Sequence, residues 1–408
     1  MPSFSIALSG LQADSIALSA IGNNLANLNT TAFKKENVNF ADMFYQSVGT
    51  SGSNAPLQVG IGTRVSSISS DFSQGNLNST GSATDMAING NGFFVVQQTG
   101  TNELTRTGNF QLSPTGNLMT SEGYSVMGYP AVNGVVDTNA ALTPMNVPTA
   151  KTQLAHATTG FSFTTSLNSS SAVGTSYVSS MPMYDSQGTA QNVSVTFTKT
   201  GGNQWDYSIA MPSGDATTTS NNTGTLEFNP DGTLALPTGD VTSISFSGLS
   251  DGASDMTLNW SLRDASGNSL ITQSAGTSST NASLQDGYPS GTYKSFSVDA
   301  QGVMRATYTN GGTEVLGQIA IATVASPESL GRMGSNLYSV NQASGAMDIG
   351  VAGAGSRGSV TGSTLEQSNV DISTEFANLI VAQRSFEANS KTVTAFDTIT
   401  QDTINMIR

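Results

Sequence analysis

The stretch EQSNVDISTEFANLIVAQRSFEANSKTVTAFDTITQDTINMIR (366–408) sets the reading of the whole chain. Within it Ile372, Leu379, Phe386, Val393 and Ile407 fall seven apart, with Thr400 the one interruption. Apolar residues at that interval form a narrow stripe on a helix, the seam of helix-on-helix packing. Asp371 stands where an N-cap belongs, and Glu375 lies in the first turn, facing the positive end of the helix dipole. At the opposite end Phe4, Leu11, Leu18 and Leu25 keep the same spacing, with Ala7, Ile21 and Leu28 three residues on. This predicts a first helix from about Ser3 to Asn27, stopped by Asn27, Asn29 and Thr30. A lone helix cannot hide such a stripe. The two ends therefore need each other or further copies.

Between the ends the period changes from seven to two. GNGFFVVQ (90–97) reads as a buried strand bounded by turn residues, and the residues to Pro130 as short strands joined by glycine turns. Further on, Val193, Val195 and Phe197 alternate, Gly201-Gly202 turns, and Trp205, Tyr207 and Ile209 alternate back. Leu226 and Phe228 face Leu234 and Leu236 across Pro230-Asp231-Gly232, and Met256, Leu258, Trp260 and Leu262 form another period-2 strand. After Tyr288 the pattern of the region before residue 146 returns, with GQIAIATV (317–324) and a Gly-rich link at 350–359. The expected fold is mainly β with α-helical termini: paired, coiled-coil-like N- and C-terminal helices plus discontinuous antiparallel β domains, one nested inside another. The expected segments are 1–30 with 366–408 for the helices, and 31–70 with 350–365 as a linker or extended arm. A discontinuous β domain would take 71–145 with 286–349, and an inserted β domain 146–285.

Composition narrows the function. The chain of 408 residues has 14 Lys and Arg against 28 Asp and Glu, a formal charge of -14, which argues against nucleic acid or an anionic membrane as partner. There is no cysteine, so neither disulfides nor thiol chemistry arise. No unbroken apolar run reaches 18 residues, so no membrane span is expected, and no basic stretch precedes an apolar core as a cleaved signal requires.

Catalysis finds little footing. His156 is the one histidine and sits in a Ser/Thr-rich stretch, a poor start for a Ser-His-Asp arrangement. Asp185, Asp231, Asp264 and Asp299 lie in turns, where carboxylates usually bind their own backbone. The recurring turns LSPTGNL (112), YDSQGTA (184), FNPDGTL (228), LRDASGNSL (262) and SVDAQGVM (297) lack the ligand spacing of calcium loops. No catalytic residue, cofactor site or metal site is expected.

Three stretches carry a family resemblance. IGNNLANLNTTAFKK (21–35) resembles the N-terminal signature of the bacterial flagellar rod and hook proteins; GNGFFVV through TRTGNFQLSPTGNLMTSEGYSVMG (90–128) resembles their central β motif, and 366–408 their C-terminal helix. The insertion at about 146–285 favours the hook branch. Ala32 departs from the pattern, which most often has glycine there; glycine permits positive φ, so a helical or extended path is the alternative for alanine.

The resemblance implies a non-enzymatic subunit that polymerises helically into a hollow, flexible tube outside the cell, passing torque from motor to filament. The terminal helices would line its inner layer, with Phe4, Leu11, Leu18, Ile21, Leu25, Leu28, Ile372, Leu379, Phe386, Val393 and Ile407 as the assembly interface. Implied partners are copies of itself, the distal rod protein, the hook cap, the hook–filament junction protein and the flagellar export apparatus, which reads no cleavable signal. A second reading, from a different class, is a secreted carbohydrate-binding or carbohydrate-cleaving β protein with helical oligomerisation ends.

Overall fold

The computed structural model describes residues 2–50 and 56–406, so Ile407 lies outside the described residues. Two helices bracket 45 % strand: α1, Pro2–Ala26, and α2, Ile372–Met406. Asp371 caps α2, its carboxylate accepting the Thr374 N–H at 2.7 Å, while its carbonyl accepts the first helical N–H, from Glu375.

The chain divides into two compact units. One holds Met1–Pro148, Ser295–Ala306 and Glu314–Arg408; the other holds Thr149–Lys294 and Thr307–Thr313. The second unit thus extends past the expected end at residue 285 and takes in a short return segment.

In the first unit the segment expected as a linker or extended arm is paired strand. β1 (Glu36–Asp42) runs antiparallel to β4 (Thr63–Ser70), and between them β2 (Tyr45–Thr50) pairs with β3 (Pro56–Gly60). The Ser/Gly/Asn composition hid this ladder, because β1 and β4 bury little: only Ser70 of their residues is fully buried. Phe93–Gln98 forms a hairpin with Thr101–Thr105 and also pairs with Ser125–Val132. Phe93, Phe94, Val95 and Val96 are all buried, so this strand is covered on both faces, as its continuous apolar run requires. Phe93, Leu104, Met127, Tyr129, Ala320 and Tyr338 pack in one core there, and Phe72 meets the rings of Phe93 and Tyr338 edge-on, each at 5.3 Å.

The turn after α1 is settled by Ala32, which is fully buried at φ +55°. Of the two paths left open at Ala32, the chain takes the turn and not the helical or extended alternative. Alanine takes the left-handed conformation glycine would take, and its N–H donates to the Glu366 carbonyl at 2.8 Å.

The second unit packs two sheets on a shared core. One is a meander of Ser176–Tyr184, Ala190–Lys199, Gln204–Ala210, Thr223–Phe228 and Leu234–Leu236. The other centres on Gly160–Asn168, which lies parallel to Met256–Ser261 and Ile271–Ser274 and antiparallel to Ser279–Gln285. Parallel pairing was not expected, since local alternation fixes which face is buried but not which strand lies alongside. Trp205, Trp260, Phe163, Phe197 and Phe246 fill the space between the sheets. The Trp205 indole N–H donates to Gln273 at 2.8 Å.

The five recurring turns are hairpin or loop turns. Each has its glycine at positive φ, between 79° and 85°, at Gly116, Gly188, Gly232, Gly267 and Gly302. Asp185, Asp231, Asp264 and Asp299 accept backbone N–H groups two and, for three of them, four residues on.

Candidate functional site

The two terminal helices meet antiparallel. Asn24 near the end of α1 donates to Glu375 at the start of α2 at 3.3 Å. Fourteen residues back along α1, Gly10 lies against Asn389, and Asn389 donates to Asp14 at 2.8 Å. The same residue offset on both helices means they keep register across the contact.

At about 100° of turn per residue, Ala7, Gly10, Asp14, Ala17 and Ile21 share the side of α1 that faces α2. Asn24 is fully buried where this side meets the next. A neighbouring side of α1, with Ile6, Ser9, Ala13 and Ala20, meets the strand ladder: Ser9 Oγ accepts the Thr63 N–H at 3.2 Å. Small residues let these backbones approach closely. Ala7, Ala13 and Ala20 are the buried apolar positions of α1, not its leucines.

On α2 the side facing α1 carries Glu375, Leu379, Ala382, Phe386, Asn389 and Val393, spaced by threes and fours. Glu375 and Ala382 are fully buried; Leu379 and Val393 are half-buried. The expected C-terminal stripe thus lies largely within the chain's own helix pair. Phe386 remains 38% exposed and Ile372 46%.

The expected N-terminal stripe is placed differently. Phe4, Leu11, Leu18 and Leu25 turn about 70° away from the α2-facing side, opposite the strand ladder. Phe4 is 43% exposed and the three leucines are half-buried, as are Ile21 and Leu28. Because the helices are antiparallel, exposed Ile372, Phe376 and Ile380 of α2 lie on that same flank. Val381 lies on the other flank, where it lines a groove with Ala17, Ala20, Val38 and Phe40.

By length and composition alone, Phe4–Ala26 of α1 is long and apolar enough to cross a membrane. Ser and Gly interrupt its apolar run without adding charge, and Asp14 is its one ionisable side chain.

Where the helices join the β body, three buried ionic side chains converge, unsignalled by any local spacing. Lys34 Nζ lies 2.7 Å from Glu366 Oε1 and donates to the Ser73 carbonyl at 2.7 Å. Arg106 Nη1 lies 3.5 Å from Glu366 Oε2, and its guanidinium donates to the Ile88 and Gly90 carbonyls. Burial pushes the Lys34 pKa down, opposed by the Glu366 charge, and burial likewise lowers that of Arg106.

His156 exchanges backbone hydrogen bonds with Tyr288 and stacks on its ring at 5.4 Å. Trp205 and Trp260 are fully buried, so neither offers the exposed platform a glycan needs. Among the described residues no group of three His, Cys, Asp or Glu is placed to hold a metal ion.

Comparison with known proteins follows the same segments. Residues 4–34 match the family described as Flagella basal body rod protein, and 87–161 the Flagellar hook protein FlgE/F/G D1 domain. Residues 165–288 match the Flagellar basal body protein FlaE D2 domain, and 361–406 the Flagellar basal body rod FlgEFG protein C-terminal family. Over a gapped alignment 417 positions long the chain is 36% identical to the flagellar hook protein FlgE of Escherichia coli (strain K12), covering 99% of each. It is 31% identical to that of Borreliella burgdorferi, covering 98% of each. The crystal structure of Helicobacter pylori flagellar hook protein FlgE2 superposes with a TM-score of 0.53 at 14% identity, over 71% of this chain and 100% of that one, which shows a shared fold. Names and coverage agree along nearly the whole length, and they give the carbohydrate reading no support. The chain belongs to the flagellar hook protein family.

Proposed function

We propose that this hook subunit polymerises helically into a hollow, flexible tube that passes torque from the rod to the filament, and that its paired terminal helices carry the assembly contacts. The supporting observation is the apolar flank that the helix pair leaves uncovered: Phe4, Leu8, Ile372, Phe376 and Ile380 are each at least 42% exposed. Leu11, Leu18 and Leu25 extend the same flank. A charge-poor apolar face of this extent is the kind of surface a second copy covers.

Copies meeting through different surfaces form an open helix whenever the rotation does not close. The partial burial of Leu379 and Val393 means that α2 contributes to the assembly by holding α1 in place as well as by its own exposed residues. The role is geometric, with no reaction turned over. By the resemblance, the subunit reaches the hook through the flagellar export apparatus and meets the distal rod protein, the hook cap and the hook–filament junction protein.

Deleting residues 1–28 or 372–408 from the full chain tests the reading. Loss of tubes in both, with the thermal transition of the Trp-containing second unit kept, is the expected result. Tubes of ordinary length from either truncation contradict it.

A further inference from the structure

The buried ion cluster has an unequal charge count. Lys34, Arg106 and Glu366 have side chains 0%, 3% and 1% exposed, so two cations share one carboxylate. Asp71 exerts a weaker pull on Lys34 while lying 3.6 Å from Lys35. Glu366 also accepts the Gly75 N–H at 2.9 Å through the oxygen that meets Lys34.

The carboxylate comes from a segment threaded through the junction. Ser359–Gly362 pairs with Met86–Asn89, and Thr364–Glu366 with Leu77–Ser79. The Gln367 N–H donates to Asn76, the Ala32 N–H to Glu366, and the Lys35 N–H to the Asn369 side chain. Asn369 in turn donates to the Asp71 carbonyl at 2.8 Å. Until residues 359–370 arrive, Lys34 has no buried carboxylate to enter the interior with, only the weaker pull of part-exposed Asp71, and Arg106 has only carbonyls and the Phe93 ring, 5.6 Å from its guanidinium carbon.

We propose that Glu366 is a completion latch. The N-terminal segment bearing α1 docks on the β body only after the C-terminal segment of the same chain delivers this carboxylate, so an incomplete chain cannot present the paired helices. This rests on those helices being the assembly surface. The device makes the first and last parts of the chain mutually dependent, although more than 300 residues separate them (Lys34 to Glu366).

The charge count gives an asymmetric test in the full-length protein, read by hydrogen exchange and by polymer yield. Glu366→Gln leaves two buried cations and no anion. Exchange in residues 4–36 is expected to quicken by at least about a hundredfold, with polymer lost. Lys34→Met leaves Arg106 and Glu366 as a balanced pair, and its effect should be at least about tenfold smaller. Adding Lys34→Met to Glu366→Gln removes one of the two stranded cations and should restore part of the protection.

Ordinary protection in Glu366→Gln, or a Lys34→Met variant as severe as Glu366→Gln, overturns the latch. Should Glu366→Gln also loosen residues 93–130, the double variant decides: recovery supports the latch and its absence overturns it. If the unaltered protein forms no tubes, the assembly reading fails while the exchange measurements still judge the latch.

Discussion

Gly10 on α1 lies so close to Asn389 on α2 that a Cβ there would stand 2.7 Å from the Asn389 amide nitrogen and 3.0 Å from its Cγ. The small-residue side of α1 is therefore a requirement of helix spacing. Gly10→Ala should displace the Asn389 amide and weaken its bond to Asp14, a loss of about 1 kcal/mol, against a helix-propensity gain of about the same size. Its net effect should stay within about 1 kcal/mol. Gly10→Val adds bulk that a rotating amide cannot clear and should cost about 1–3 kcal/mol. Far-UV circular dichroism through a denaturant titration checks both.

Leu18 and Leu379 separate assembly from closure of the helix pair. Leu18 is half-buried but lies on the flank turned away from α2, so Leu18→Asp should lower the monomer's thermal transition only by the partial burial and helix propensity it gives up, about 1 kcal/mol, and abolish polymer. Leu379 faces α1 and is half-buried, so Leu379→Asp should lower the helical transition of the monomer as well. Calorimetry beside sedimentation checks the pair; identical behaviour of the two variants would show that the flank and the inner side are not distinct.

Asp371 makes the start of α2 sensitive to acid. The Thr374 backbone N–H bonded to it holds its carboxyl below the usual value of 3.8. A carboxyl lowered in the folded state contributes stability above its unfolded value and loses it as pH falls through the folded one. Hydrogen exchange in the first turn of α2 should quicken with Asp371→Ala at pH 7, and the difference from the unaltered protein should vanish well below pH 3.8.

Tyr338 gives the first unit an alkaline limit. Burial pushes its phenol from 10.0 up to about 12, with Arg332 and Arg106 pulling the other way. A group raised in the folded state contributes stability that is whole below the unfolded value and declines as pH rises toward the folded one. Stability should therefore fall by about 2–3 kcal/mol between pH 10 and 12. Tyr338→Phe should flatten that decline, read by urea titration across the range.

Much of this architecture was legible in the chain. Heptads mark helices whichever neighbour covers them, and the alternations around Val195, Tyr207 and Trp260 mark strands with one buried face. Local patterns could not say which stripe closes the monomer, because Leu18 and Leu379 occupy equivalent heptad positions on their own helices and differ only in what lies opposite. The two contact sides of α1 were written in small residues, Ala7, Gly10 and Ala17 toward α2 and Ala13 and Ala20 toward the strand ladder, a pattern that a search for large apolar residues passes over. The β1–β4 ladder carries too little buried apolar surface to show in a hydrophobic pattern. The Lys34–Arg106–Glu366 cluster unites three distant positions, and no spacing rule reaches that far.

Electron microscopy of the purified full-length protein under polymerising conditions decides whether the uncovered flank of the helix pair drives assembly. Hollow tubes of uniform diameter are the expected result, absent from the Leu18→Asp variant under the same conditions. Folded protein that stays monomeric or forms only closed oligomers, or tubes that form equally well from Leu18→Asp, would contradict assembly through the uncovered flank of the helix pair.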